Sequence, residues 1–385
     1  MQQNRRIFIA TAVSFGMAGA LFGSCAFAQT TKVVKVGFAA VLSGAQGHYG
    51  KDMEFATKIA IDEANAKKLQ IGGQTIKFEL ISEDDQADPK AGTAAAQRLV
   101  DSGVVAVIGH FNSGTSIPAS RIYNAAGIPQ VSPTATNPTL TSQGYKNVFR
   151  VINTDAQLGN YAGKYAVGGK SFKRIAIVDD RTAFGLGMAD QFEKAVRAEG
   201  GQIVAREYTS DKTVDFTGIL TKFKGLQVDL VFFGGLDAQA GPMAKQMKQL
   251  QVPAVLMGGG GFTNKNFINS AGPGAEGTLS WDYGLPLAKM PGGKSLIAKM
   301  KEKYNVETEN FAPFSYDAAW VVINAMVKAN STDPKIFLPA LASTDFDGVT
   351  GKIKFDSKGD LVNPPATLLE VRGQEWVPLK TVSGM

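Results

Sequence analysis

The sequence predicts an α/β protein made of two doubly wound lobes, and three observations carry that expectation. From Val33 onward apolar strands alternate with helical segments of about 15 residues, the pattern of a parallel sheet covered on both faces. The alternation starts afresh after Asn147. A chain of 385 residues also exceeds what one core ordinarily serves, so two units are expected.

The first 28 residues stand apart from that pattern. Arg5 and Arg6 precede an apolar run that closes on Ala26-Phe27-Ala28, the small-x-small signature of a signal peptidase site, which places the mature start at Gln29. A second reading makes Cys25 a lipidated cysteine, but Phe22 stands where such signals carry leucine. "RRIFI" also fits a twin-arginine export signal, and either route takes the chain out of the cytoplasm. No later stretch is long and apolar enough to span a membrane. Cys25 is the single cysteine, so the mature chain forms no disulfide and depends on packing. Without Arg5 and Arg6 the net charge falls from +6 to +4, and the basic residues are dispersed, which argues against a nucleic-acid partner.

In the first half, "VVKVGFAAV" is a strand, followed by a helix from about Asp52 to Ala66 and the strand "TIKFELISE". Asp88 as N-cap and Pro89 as the first helical residue open the next helix, and "VVAVIG" is the strand after it. The acidic run Glu83, Asp84, Asp85 falls in the strand-to-helix loop; with no histidine or cysteine beside it in sequence, it reads as a solvated loop rather than a metal site. In the second half "RIAIVDD", "GQIVAREY", "VDLVFFGG" and "VPAVLMGG" are strands, with helices near 188–198, Phe216 and 238–250. Ligands of open α/β sheets sit beyond the carboxyl ends of the strands, which directs attention to "VLSGAQGHYG", "IGHFNSGTS", "VSPTATNP", "VDDRTAFG", "FFGGLDAQAG" and "LMGGGGFTN".

Catalytic chemistry is scarce in those loops. His48 and His110 are the only histidines, no serine occupies a G-x-S-x-G elbow, and neither "GGKS" segment carries the further glycine of a P-loop. "FGLGMAD" lacks the third glycine of a dinucleotide fingerprint. No enzyme, cofactor or metal is therefore expected. Recognition is what remains. Asn112, Ser113, Gly114 and Thr115 open a predicted helix whose free amides and positive dipole end attract a carboxylate. Thr134, Ala135 and Thr136 stand in the next such loop. Ordinary capping by Ser and Thr explains the same residues.

The segments "VLSGAQGHYGKDMEFA", "SEDDQADPKAGTAAAQRLVDSGVVAVIGHFNSGTSIPASRIYNAAGIPQVSPTATNPTLT", "DDRTAFGLGMADQFEKAV" and "GGLDAQAGPMAKQMKQL" resemble the leucine/isoleucine/valine-binding proteins of ABC importers, over nearly all of residues 32–375. The resemblance implies a periplasmic binding protein of the first structural type, with two lobes joined by a three-segment hinge. It divides the chain into a signal peptide (1–28), a first lobe (29–149 plus 282–356) and a second lobe (150–281 plus 357–385). It implies a monomer that closes on its ligand and presents it to a membrane permease.

By the same resemblance Ser113 binds the ligand carboxylate, with Asn112 beside it; Ala135 offers its carbonyl to an ammonium, and Thr136 serves both groups. Tyr49 and Phe311 line the side-chain pocket. Phe184 and Leu236 replace tyrosines common in the family, and Gly260 stands where the family carries the acid that pairs with the ammonium. A small hydrophobic amino acid of branched-chain type is the leading expectation, with Asp237 supplying a displaced carboxylate. The alternative is an amine-free aromatic or oxo acid, in which case an aspartate placed at Gly260 should restore preference for amino acids. Amide and urea binders share this fold, as do sensory domains. A sensor would continue into a membrane helix, and the sequence to Met385 shows none.

Overall fold

A computed structural model describes residues 31–383. The export signal with Cys25 and the mature start at Gln29 lie outside the described residues.

The first sheet takes its strands from the amino-terminal part of the chain: β1 (Thr31–Ala40), β2 (Gln70–Ile71), β3 (Gln74–Asp84), β4 (Val107–Gly109), β5 (Gln130–Ser132) and β6 (Val148–Arg150). Their order is β2-β3-β1-β4-β5-β6, parallel except where β2 turns back on β3. Helices α1 (Gly47–Ala66), α2 (Pro89–Asp101), α3 (Ser113–Ala126) and α4 (Thr139–Ser142) connect these strands. The expected cap is present, since Asp88 accepts from the amides of Lys90 and Ala91 and Pro89 occupies the first turn. Helix α1 begins at Gly47, earlier than the apolar pattern suggested, because its first turn carries Tyr49 inward.

After α5 (Asp155–Lys164) the second sheet begins: β7 (Ile175–Asp179), β8 (Ile203–Tyr208), β9 (Leu230–Gly234), β10 (Val255–Gly259) and β11 (Leu279–Tyr283), alternating with α6 (Ala183–Ala198), α7 (Thr217–Gly225), α8 (Asp237–Gln249) and α9 (Lys265–Ala271). The chain then adds α10 (Gly293–Tyr304), α11 (Ala312–Ala329) and α12 (Pro334–Ala342), a hairpin of β12 (Asp345–Asp347) and β13 (Lys352–Lys354), and the pair β14 (Ala366–Arg372) and β15 (Glu375–Val382). Sheet order is β15-β14-β11-β10-β9-β7-β8, with β14 and β15 antiparallel. Alternation alone did not signal that antiparallel edge.

Helix α11 is apolar on nearly every side and buried, and it packs on α1, where Thr57 and Ser315 share a hydrogen bond of 2.8 Å. The chain therefore passes between the sheets three times, after β6, after β11 and before β14. Two crossings are bonded together. The buried Arg150 pairs with Asp360 at 2.6 Å, and the Asn153 amide donates to the Pro365 carbonyl at 3.1 Å. Among the described residues no helix is long and apolar enough to cross a membrane.

The acidic run at the end of β3 differs from its expectation. Asp85 is fully buried and bonded to His110 Nδ1 at 2.8 Å, while His110 Nε2 meets the Tyr123 hydroxyl at 2.9 Å. A histidine is near after all, because β3 and β4 both flank β1 and bring their carboxyl ends together. Asp84 serves the loop backbone through Leu42 and Gln86, and Glu83 pairs with Arg98.

Candidate functional site

A cavity of about 480 Å³ lies between the two sheets at the carboxyl ends of their strands. The first sheet contributes Gln46, Phe111, Asn112, Ser113, Gly114 and Thr134 from the loops and helix starts after β1, β4 and β5. From the second sheet come Asp180, Arg181, Thr182, Ala183, Phe184, Ser210, Asp211, Leu236 and Gly261, with Tyr283 from the end of β11 and Phe311 from the start of α11. One end is aromatic, where Phe111 and Phe311 meet edge to face at 5.4 Å and Tyr283 lies 6.0 Å from Phe311.

One polar part of the wall is the start of α3. Asn112 is the N-cap residue, yet its side chain donates to Gln46 Oε1 at 2.8 Å instead of capping the helix. The first turn therefore keeps capacity for an outside acceptor. The Ser113 hydroxyl stands in the cavity wall and accepts from the Asn137 amide at 3.3 Å. Thr134 holds the loop in place by donating to the Phe111 carbonyl at 2.8 Å.

The lobes touch across the cavity. The Tyr49 hydroxyl donates to the Gly261 carbonyl at 3.1 Å and accepts from Asn264 Nδ2 at 2.6 Å. Asn137 Nδ2 donates to the Ala183 carbonyl at 2.6 Å. His48 Nε2 lies 3.4 Å from Asp237 and 3.8 Å from Glu309. Burial acts to lower the His48 pKa, but the two carboxylates prevail and hold it above its ordinary value. Asp180 is pushed up to about 6 by burial, although the amide and hydroxyl of Thr182, at 2.9 and 2.7 Å, favour its charged form.

Of the residues singled out in the sequence, Asn112, Ser113, Gly114, Thr134, Phe184, Leu236 and Phe311 line the cavity. Tyr49 packs behind them, stacked on Phe111 at 5.0 Å. Ala135 and Thr136 lie buried in the adjoining loop, and the Ala135 carbonyl already accepts from Arg150 at 2.8 Å. Asp237 turns away from the cavity to Asn264, at 3.1 Å, and to His48. Gly260 is covered by Tyr283, and Gly261 takes its place in the wall.

The glycine run of "LMGGGG" is a packing device. Phe262 lies against Gly258, Met188 against Gly259, Tyr283 against Gly260, and Phe184 with the Gly235 carbonyl against Gly261. A Cβ at any of the four would collide with these neighbours. Tyr283 arrives by register. Strands β10 and β11 pair Met257 with Leu279 and Gly259 with Trp281, so the face that carries Leu279 and Trp281 delivers Tyr283 at the strand's end. Its hydroxyl donates to the Gly259 carbonyl at 3.1 Å. Tyr283 is a cavity residue outside every loop that the sequence pointed to, though the period-2 pattern of "LSWDY" held its signal; Phe111 and the Asp180-Arg181 pair lie in loops it pointed to, without being named there.

Two α/β lobes meeting over a cavity at the ends of their strands define a class of protein that encloses a small molecule between domains. Residues 33–375 match the family model described as periplasmic binding protein, and the chain belongs to that family. It is 34% identical over 343 residues to the Leu/Ile/Val-binding protein homolog 2 of Brucella abortus (strain 2308), covering 89% of this chain and 91% of that relative. The branched-chain amino acid transporter substrate binding protein of Streptococcus pneumoniae, solved with isoleucine, superposes with a TM-score of 0.82 at 27% identity, covering 91% of this chain and all of that one. A solute binding protein of an ABC transporter from R. palustris, solved with benzoate, shares the fold at a TM-score of 0.80 and 23% identity, covering 92% and 97% of the two chains.

Proposed function

We propose that this chain is the exported, periplasmic solute-binding component of an ABC importer, which closes on a small hydrophobic carboxylate and presents it to a membrane permease. The observation that carries this reading is the start of α3, where Ser113 and an uncapped first turn face a cavity that has an aromatic wall of Phe111, Phe311 and Tyr283 and, across it, the polar second-lobe residues Asp180, Arg181 and Asp211. The carboxylate is held there, and the apolar body lies toward Phe111, Phe184, Leu236 and Phe311. In this reading the lobes are 29–149 with 282–356 and 150–281 with 357–385, and the protein works as a monomeric binder without turnover.

An α-amino acid of branched-chain type is one member of that ligand class, supported by the relatives' names and by family membership. An amine-free acid is the other, supported by the positions of Ala135, Asp237 and Gly260. A thermal-shift screen of hydrophobic carboxylic acids against their amides tests the class as a whole. Ligand at 100 times Kd should add about 2.7 kcal/mol of stability. Acids that raise the melting temperature where their amides do not support the reading; a panel in which no acid shifts it refutes the reading.

A further inference from the structure

We infer that Tyr283 excludes an α-ammonium group from the cleft and so makes this protein selective for amine-free hydrophobic carboxylates, aromatic acids among them. The inference rests on the carboxylate reading above and names the ligand class within it.

A desolvated ammonium must find hydrogen-bond acceptors and a counter-charge on entering a closed cavity. Of the groups that the resemblance assigns to an ammonium, the Ala135 carbonyl and Asp237 are engaged elsewhere, and position 260 carries no acid. The Ala135 carbonyl accepts from the Arg150 guanidinium at 2.8 Å, so a cation already occupies its neighbourhood. Asp237 is 4% exposed and bonded to Asn264, with His48 beside it. At position 260 a side chain has nowhere to go: a Cβ there would stand 2.6 Å from Tyr283 Cζ and closer still to Cε2, on a backbone at φ +77°. The volume an acid would need is taken by a phenol, whose hydroxyl proton is donated to the Gly259 carbonyl. The carboxylates that do line the cavity, Asp180 and Asp211, lie in the second-lobe loops together with Arg181, and Asp180 has one oxygen committed to Thr182. What Tyr283 offers instead is a ring face, set against Phe311 and joined through it to Phe111. Such a wall suits a flat apolar or aromatic body.

The test is calorimetry on residues 29–385 with matched pairs: leucine with 4-methylpentanoate, and phenylalanine with 3-phenylpropanoate. In each pair the amine-free acid should bind at least about tenfold more tightly, since an unpaired buried ammonium is costly. Gly260→Asp alone should lower the melting temperature without gaining amino-acid affinity, because the Tyr283 ring blocks it. The double variant Gly260→Asp, Tyr283→Ala opens that space and, once circular dichroism shows it folded, should shift each ratio toward the amino acid by about tenfold or more. The inference is overturned if the parent binds leucine or phenylalanine as tightly as the amine-free partner. Asp180→Asn then tells whether Asp180 is the counter-charge. It is also overturned if the folded double variant keeps the parent ratios. Binding of neither member of any pair overturns the carboxylate reading itself, and this inference with it.

Discussion

Tyr49→Phe removes one oxygen from the contact between the lobes and leaves the ring stack in place. That oxygen makes two hydrogen bonds, donating to the Gly261 carbonyl at 3.1 Å and accepting from Asn264 at 2.6 Å, and both partners belong to the opposite lobe. The ring itself stays packed on Phe111 at 5.0 Å and against Phe311 at 5.5 Å, within its own side of the cleft. Asn264 retains Asp237 as a partner, whereas the Gly261 carbonyl loses the Tyr49 hydroxyl. Two buried hydrogen bonds at about 1 kcal/mol each, plus part of the cost of an unsatisfied acceptor, place the loss at about 2–3 kcal/mol of the closed form. In the proposed function ligand binds the closed form, so this converts to a roughly 30- to 150-fold rise in Kd. Isothermal titration of parent and variant with the tightest acid from the screen measures it, and scattering should show the variant more open at equal ligand concentration. Thermal stability without ligand should change little. An unchanged Kd, or a loss of ligand-free stability as large as the loss of affinity, would refute the reasoning that Tyr49 acts as a latch between lobes.

Ser113→Ala should weaken binding of every hydrophobic acid by roughly 1.5–3 kcal/mol, the worth of a hydrogen bond to a charged group, with little effect on folding. Titration checks it, and equal affinity for parent and variant would misplace the cradle. Asp52 supplies a pH prediction. Burial pushes its carboxyl up to about 8, with the Glu309 charge adding to the shift and His48 opposing it, and neither oxygen has a well-formed hydrogen bond. A folded-state pKa raised above 3.8 means that its contribution to stability is complete below pH 3.8 and is lost as pH rises toward 8. Asp52→Asn should therefore stabilise the protein at pH 8 by on the order of a few kcal/mol and by much less at pH 5. Urea denaturation at the two pH values measures the difference, and a gain independent of pH contradicts it.

Local signals carried most of the fold. Apolar runs located β1, β3, β7, β9 and β10, and the Asp88-Pro89 pair marked the start of α2 to the residue. The same was true of the site wherever a residue sits at a helix start, as Asn112 and Ser113 do. What stayed hidden depends on register and on sheet order. Tyr283 faces Gly260 because two parallel strands pair in one register, and a shift by one residue would turn it to the other face. Asp85 finds His110 because their strands flank a third. Asp237 was placed at the start of α8, but its direction is set by Asn264 and His48, which arrive from other segments. In sequence, Gly260 of "LMGGGG" reads as a missing charge. The four glycines are the floor on which four neighbouring side chains rest.

The proposed function turns on a carboxylate held at the start of α3 inside a closed cleft. A crystal structure of residues 29–385 with the tightest hydrophobic acid from the screen checks this. Expected is a ligand whose carboxylate lies within hydrogen-bond distance of Ser113 Oγ and the first amides of α3, with its apolar body against Phe111, Phe311 and Tyr283 and the Tyr49 bridge to Gly261 closed. A ligand bound the other way round, with its apolar end against Ser113 and its carboxylate at Asp180 and Arg181, would contradict it.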